Sequence, residues 1–199
     1  MLRRHSWLLL VALLSGRGLA FGQAAVSITL KHGTAGEAAT REQLQRLLAT
    51  YDLSPWLHTK AVVIDAQAIP LSHPVLTLHT RHAKDDELLL STYVHEQLHW
   101  FLTERQEQTD LAIGDLRKAF PNAPAGGRAG ARDEYSTYLH LLVCFLEQQA
   151  VVQVVGELEA KQVMEFWATD HYTWVYRQVL DHGQEIASVI NARHLQHAR

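Results

Sequence analysis

The sequence predicts a single α+β domain in which a few short strands precede a series of helices. Segments with strand-like patterns lie before residue 83, and all but one of the strong helical patterns lie after residue 84. The chain has 199 residues, of which 47% are hydrophobic and 20% are charged, the size and balance of one globular domain. The sequence contains no internal repeat that would indicate a repeat architecture.

Three segments in the first half have the composition of strands. They are VSITLKH (26–32), KAVVIDA (60–66) and HPVLTLHTRH (73–82). In the third segment, Pro74 suits a strand at the edge of a sheet, where a missing backbone donor is tolerated. Between the first two, EAATREQLQRLLAT (37–50) has leucines at helical spacing and predicts a helix. A small sheet with an edge strand is therefore expected in the N-terminal part.

The second half is predicted to be helical. DDELLLSTYVHEQLHWFLTER (85–105) opens with acidic residues and ends on arginine, as the helix dipole favours. Residues 106–132 have a looser pattern, with at most one short helix before a loop rich in glycine and alanine. EYSTYLHLLVCFLEQQAVVQVV (134–155) predicts a long apolar helix, and one or two more helices are expected after Gly156.

The first 24 residues have the pattern of a secretory signal. Arg3 and Arg4 are followed by the apolar run 7–14 and then by small residues. The run is too short to cross a bilayer, which takes about 20 residues. We therefore expect cleavage near residue 24, export to the periplasm or outside the cell, and a single mature domain over residues 25–199 that has no membrane-spanning segment. An uncleaved anchor is the alternative.

The charge and cysteine content exclude several classes of protein. A net charge of −3 and a pI near 6.5 argue against a nucleic-acid partner and against a polybasic membrane surface. Cys144 is the single cysteine, so no disulfide can form within the chain. It lies in the apolar run LHLLVCFLE and is expected to be a buried thiol.

A candidate metal-binding motif lies in the middle of the helix predicted over 85–105. His95 and His99 are four residues apart, so both imidazoles point from one face of the helix and can bind the same ion. Zn²⁺ suits neutral imidazole ligands. Glu96 is next to the first ligand, where its carboxylate can take a proton from a zinc-bound water. The motif predicts a catalytic zinc site, with chance histidines on an exposed face as the alternative.

The segment HEQLH resembles the HExxH helix of zincin metallopeptidases. Over residues 73–182 the chain is similar to secreted or periplasmic zinc peptidases with an HEQLHW active-site segment. This resemblance implies a zincin-like fold, in which a small sheet with an edge strand precedes the active-site helix and further helices follow. It also implies a peptide or protein substrate that pairs with the edge strand PVLTLHT.

The resemblance also implies a third zinc ligand. Metzincins carry a glycine and a histidine where this chain has Leu102 and Arg105, which excludes that branch. Gluzincins use a glutamate on a following helix, and Glu134 in RDEYSTYLH is the best match. Where thermolysin-like members have an aspartate four residues later, this chain has Tyr138. Three other residues stay open as the third ligand: Asp133, His140 and Glu147.

The oxyanion donor implied by the resemblance lies on a later helix. His171 or Tyr172, in ATDHYTWVYRQVL, is similar to that element. The alternative is that Tyr172 belongs to a packing stripe with Val175, Tyr176 and Val179. The remaining histidines, including those in ARHLQHAR, are expected at the solvated surface.

The leading hypothesis is an exported zinc metallopeptidase with His95, His99 and Glu134 as ligands and Glu96 as general base. A second hypothesis is a metal-binding zincin-fold protein without catalysis that acts as an interaction module. A third is a helical domain without metal. The sequence leaves the substrate and the oligomeric state open.

Overall fold

The computed structural model describes residues 26–197. The signal sequence predicted over residues 1–24 lies outside the described residues. The predicted α+β class is confirmed, because a three-stranded parallel sheet is followed by helices that form most of the domain. Its elements occur in the order β1 (Ser27–Leu30), α1 (Ala35–Thr50), a short 3₁₀ helix (Ser54–Trp56), β2 (Ala61–Ile64), β3 (Leu76–Leu78), α2 (Asp86–Thr103), α3 (Gln106–Ala119), α4 (Glu134–Val155), α5 (Glu157–Asp170) and α6 (Thr173–Ala192).

The sheet has the order β1-β2-β3, and α1 forms the crossover between the first two parallel strands. Thr34 caps the start of the crossover helix, and its side chain accepts a hydrogen bond from the Glu37 N–H in a capping box. The strands are shorter than predicted. The third covers only Leu76–Leu78 of the segment 73–82, because the chain turns at both ends of this short stretch.

The connection between β2 and β3 folds back on the outer side of β3. Leu71 forms an isolated antiparallel bridge with Thr77. Its two backbone hydrogen bonds have nitrogen-to-oxygen distances of 3.1 Å and 2.7 Å. A backbone position in the middle of the expected edge strand is therefore already hydrogen-bonded within the chain. This connection also brings residues 69–73 close to α2, whose Trp100 indole N–H donates a hydrogen bond to the Ser72 carbonyl oxygen.

Helix α4 is the centre of the helical layer and packs against α2, α3, α5 and α6. Cys144, at its middle, is fully buried as predicted. Within residues 26–197, α4 is also the one helix long and apolar enough to cross a membrane, with a mean hydropathy of 1.4. However, 61% of the most apolar 18-residue stretch of this helix is buried inside the domain, so the hydrophobic core accounts for its apolar composition.

Helix α3 is longer than the sequence predicted. It covers Gln106–Ala119, the first half of the region 106–132, for which the sequence predicted at most one short helix. Ala112, Ile113 and Leu116 form its buried face and contact the core. These three apolar residues among polar neighbours provide enough burial to stabilise the helix only once α4 and α6 are present beside it.

Candidate metal centre

Two helices bring three imidazoles together. His95 and His99 belong to α2, and His140 belongs to α4. One nitrogen from each ring lies within 4.8 Å of the other two. The ring centroids are 5.1 Å apart for His95 and His99, 5.5 Å for His95 and His140, and 5.0 Å for His99 and His140. This is a donor set of the kind that holds a catalytic zinc ion.

Helix α2 is fixed along its whole length, which sets the position of the motif. Asp85 caps it by accepting a hydrogen bond from the Leu88 N–H. Gln97, inside the motif, accepts hydrogen bonds from the N–H groups of His58 and Thr59 at 2.9 Å and 2.8 Å. Apolar side chains of this helix are buried in the core, among them Leu90, Val94, Phe101 and Leu102.

Two of the imidazoles have their Nδ1 atoms engaged within the protein. His95 Nδ1 lies 2.8 Å from Glu147 Oε2, and His140 Nδ1 lies 2.6 Å from the carbonyl oxygen of Ser136. Since a carboxylate and a carbonyl only accept, Nδ1 carries the proton in both rings. An ion can then bind at Nε2 of either ring, the arrangement usual for histidine ligands of metals, and at His95 this takes the neutral ring, whose Nε2 has no proton.

Glu147 connects the first histidine to the core. Besides His95, its carboxylate accepts hydrogen bonds from the Tyr176 hydroxyl at 3.0 Å and from the Ser91 hydroxyl. The Ser91 oxygen in turn accepts from the Trp167 indole N–H at 2.9 Å. Both oxygens of Glu147 are therefore in use, so this residue is suited to orienting His95 rather than to binding an ion directly.

A second group of possible ligand atoms shares His95. Its nitrogen, the Cys144 sulfur and a Glu147 oxygen also lie within 4.8 Å of one another. Burial raises the pKa of the Cys144 thiol, so the thiolate that a metal requires is disfavoured. With the Glu147 oxygens also engaged, the three-histidine group is the better site for an ion.

Burial sets the charge state of His99 and His140, and the Glu147 carboxylate sets that of His95. Burial lowers the pKa of His140 to about 3 and the pKa of His99 well below the ordinary value. Both rings are thus neutral at neutral pH, the form that binds a metal. Burial opposes the charge on His95 as well, but the adjacent Glu147 carboxylate outweighs it and raises the pKa of His95.

Glu96 lies on the cavity wall beside the histidines, where the sequence places a general base. Only 6% of this residue is exposed. Burial raises its pKa to about 7; Glu147 adds to this increase and His95 opposes it. A carboxylate with a pKa near neutrality can both accept and release a proton under physiological conditions, as general acid–base catalysis requires.

The structure does not bring Glu134 to the imidazoles. This residue is exposed at the start of α4, and its carboxylate lies 3.6 Å from Arg117. It precedes His140 by six residues, so the two side chains leave the helix about 120° apart in direction. Glu134 is therefore not grouped with His95 and His99 as the sequence predicted, and His140, one of the residues left open as the third ligand, lies beside them instead. Asp133, another of these, instead caps α4 through the Ser136 N–H at 2.7 Å.

The three histidines line a cavity of about 520 Å³. Its walls come from the β2–β3 connection, the segment after β3, α2, α4, the end of α5, the start of α6 and the turn between those two helices. The lining residues are Ile69, Pro70, Leu71, Ser72, His73, His79, Arg81, His82, Thr92, His95, Glu96, His99, His140, Glu147, Trp167, Asp170, His171, Tyr172 and Tyr176.

His171 and Tyr172 both lie on this cavity wall, in the turn between α5 and α6. The Tyr172 ring centroid is 4.3 Å from that of His140, and the residue has left-handed backbone angles of φ 48° and ψ 38°. His171 Nδ1 lies 2.9 Å from Asp170 Oδ2, which leaves Nε2 available. Arg81 binds the same carboxylate and holds the pKa of Asp170 below its usual range. The left-handed backbone of Tyr172 is a strained conformation of the kind that is frequent at functional sites.

Three of the histidines expected at the surface also line the cavity: His73, which is exposed, His79, which is half-buried, and His82. His82 is only 6% exposed, so the surface prediction is wrong for this residue. His73 stacks on Trp100 with ring centroids 4.1 Å apart. For His79 and His82, their place directly after β3 was the available signal, since side chains that follow parallel strands gather at one edge of a sheet and form ligand sites there.

Comparisons with protein-family models, curated proteins and solved structures found no match for this chain.

Proposed function

We propose that this protein is a zinc-dependent hydrolase, specifically an HExxH metallopeptidase with a zincin-like active-site helix. The observation that carries this proposal is the convergence of three imidazoles from α2 and α4 on a cavity that also contains the buried carboxylate of Glu96. A catalytic zinc site needs three protein ligands and an open coordination position. The three histidines supply the ligands, and the cavity has room for a water or substrate at the open coordination position.

His95, His99 and His140 are the residues that would hold the ion. When bound, zinc supplies Lewis acidity, which polarises a carbonyl and lowers the pKa of a coordinated water to about 7. The carboxylate of Glu147 keeps the His95 ring in the tautomer that exposes Nε2. This interaction fixes the first ligand before an ion arrives and lowers the entropic cost of assembling the site.

Glu96 takes the proton from the attacking water and passes it to the departing amine. Its raised pKa suits both transfers. His171 and Tyr172 face the same cavity, and either side chain is a donor for the negative charge that develops on the carbonyl oxygen. Asp170, itself held by Arg81, orients the His171 ring for this role.

The proposed ligand set departs from the branches of zincins considered above. His140 replaces the glutamate expected at Glu134, and the metzincin positions after His99 hold Leu102 and Arg105. We therefore propose an HExxH hydrolase with a histidine from a later helix as third ligand, and we assign it to neither branch. The signal sequence expected over residues 1–24 would make it an exported enzyme.

Two measurements test the proposal. Purified protein loaded with Zn²⁺ should contain one equivalent of metal and hydrolyse a mixed library of peptides. Glu96→Gln should keep the zinc and lose hydrolysis by at least about 100-fold, the scale of general-base catalysis. Retained hydrolysis in Glu96→Gln would refute the role of this residue. Zinc bound without hydrolysis in the natural sequence would favour the non-catalytic interaction module.

A further inference from the structure

The turn between α5 and α6 consists of His171 and Tyr172 and has a helix end on each side of it. The carbonyl groups at the end of a helix, and the N–H groups at the start of the next one, have no partners within their own helix. Tyr172, the residue before α6, does not cap that helix with its side chain. The position of this turn therefore depends on groups from elsewhere in the chain.

The side chain of Arg128, in the loop between α3 and α4, binds the end of α5. Its guanidinium donates to the carbonyl oxygen of Asp170 at 2.9 Å and to that of Thr169. A cation is favourable at this end of a helix, where the dipole is negative. The Asp170 carboxylate is bound by Arg81. Two arginines from separate loops thus hold the last residue of α5.

The backbone of the same loop binds the start of α6. The carbonyl oxygen of Arg128 accepts a hydrogen bond from the Thr173 N–H at 3.0 Å, and that of Ala129 accepts from the Trp174 N–H at 3.1 Å. These bonds satisfy two of the N–H groups that the first turn of a helix leaves without a partner. Residues 128 and 129 therefore connect both helix ends that flank the turn.

The loop that carries Arg128 is itself fixed to α4, the helix of the third imidazole. The Thr137 hydroxyl accepts a hydrogen bond from the Ala131 N–H at 2.9 Å and donates to the Pro124 carbonyl oxygen at 2.7 Å. The Gly126 N–H donates to the Ala131 carbonyl oxygen at 2.6 Å, and Gly126 has a positive φ of 77°, which suits glycine. Arg128 therefore projects from a loop of defined shape.

Resting on the proposed hydrolase function, we infer that Arg128 is a positioning residue that holds the turn between α5 and α6 where His171 and Tyr172 face the metal centre. Arg128 lies outside the cavity wall, so it acts through the turn and not on the substrate. The ring centroids of Tyr172 and His140 are 4.3 Å apart, so the turn lies close to the proposed ligands. An oxyanion donor acts only at hydrogen-bonding distance, and a displacement of about 1 Å can cost about 100-fold in rate.

The first test measures kcat and KM of the zinc-loaded protein with one peptide that it cleaves. Arg128→Ala should lower kcat by about 10- to 100-fold and leave KM and the zinc dissociation constant within about twofold of the natural values. Arg128→Lys keeps one charged donor near the two carbonyls, so its kcat should lie between those of Arg128→Ala and the natural protein. Arg132→Ala is the matched control with natural kcat, because Arg132 is an exposed arginine of the same loop that binds the adjacent Asp133.

A second comparison separates positioning from a general effect on the fold. In the double variant His171→Ala, Tyr172→Phe both proposed donors are absent. Adding Arg128→Ala to this background should lower kcat by less than about twofold, because residues that act as one unit are not additive. A purely structural role of Arg128 would lower kcat by the same factor in both backgrounds.

A third measurement does not depend on turnover. Amide hydrogen exchange, followed by mass spectrometry, reports how often the N–H groups of Thr173 and Trp174 separate from the loop. Arg128→Ala should speed exchange in the segment 169–176 by at least about tenfold, and Arg132→Ala should leave it unchanged.

These measurements separate the possible failures. Natural kcat in Arg128→Ala, or an equal loss of kcat in the background without donors, would overturn the inference and leave the hydrolase intact. Faster exchange at the turn in a protein that binds zinc and hydrolyses no peptide would overturn the hydrolase and support the hold of Arg128 on the turn. Unchanged exchange in Arg128→Ala would overturn the inference whatever the activity.

Discussion

Replacing Glu147 by glutamine isolates the contribution of the orienting carboxylate to the metal centre. The Glu147 carboxylate accepts hydrogen bonds from His95, Ser91 and Tyr176, and all three donors are buried in the core. A glutamine has the same shape but a single acceptor oxygen and no charge. Its NH₂ group therefore faces at least one of these donors, while the bond to His95 loses its charge assistance.

The expected magnitude follows from these contacts. The lost charge assistance of the bond to His95 corresponds to about 1.5–3 kcal/mol, and the mismatched donor lowers the stability of the fold as well. Because His95 becomes free to rotate and to change tautomer, most of this loss should appear in metal binding. We expect the zinc dissociation constant of Glu147→Gln to rise by about 10- to 100-fold. Competition with a chelating dye of known affinity measures this change directly.

Glu134→Gln is the matched control, since it makes the same chemical change at an exposed position of the same helix. It should leave zinc affinity within about twofold of the natural protein, the effect usual for a surface ion pair. Equal zinc affinity in Glu147→Gln and the natural protein would refute the orienting role of Glu147. A loss confined to Glu134→Gln would instead restore the ligand that the sequence predicted.

Three further outcomes are expected. His140→Ala should lower zinc affinity by more than about 100-fold, because one of three ligands is removed, whereas Glu134→Ala should retain one equivalent by metal analysis. The Arg81–Asp170 pair lowers the pKa of Asp170 from its ordinary value of 3.8. The stabilisation that this pair gives the fold is therefore present above that pH and is lost as the pH falls through the lowered pKa. The difference in urea midpoint between the natural protein and Asp170→Asn should shrink on acidification, and a pH-independent difference would contradict this. Leu98→Ala, at a fully buried position of α2, should reduce the free energy of unfolding by about 2–5 kcal/mol in urea titrations, and a change below about 1 kcal/mol would show that the site repacks.

Local sequence patterns are sufficient to predict most of the secondary structure. The boundaries of α4 agree with the pattern read over 134–155, and α2 begins directly after its capping residue Asp85. Helix periodicity also places His95 and His99 on one face, which requires no tertiary contact. Boundaries were predicted less well where the stabilising contact is remote, as in α3, whose buried face depends on α4 and α6.

The identity of the third imidazole depended on tertiary structure, because α4 is apolar on nearly every side and its sequence does not reveal which face meets α2. Glu134 and His140 both lie on this helix, and only its packing selects between them as the neighbour of His95 and His99. The same holds for His82 and Asp170, which come from different elements and meet only at the cavity. The sequence by itself determined the α+β class and the pair of histidines one helical turn apart, since both depend on contacts between near neighbours. Tertiary structure decided which distant side chains complete the site, since that depends on how the buried faces of separate helices fit together.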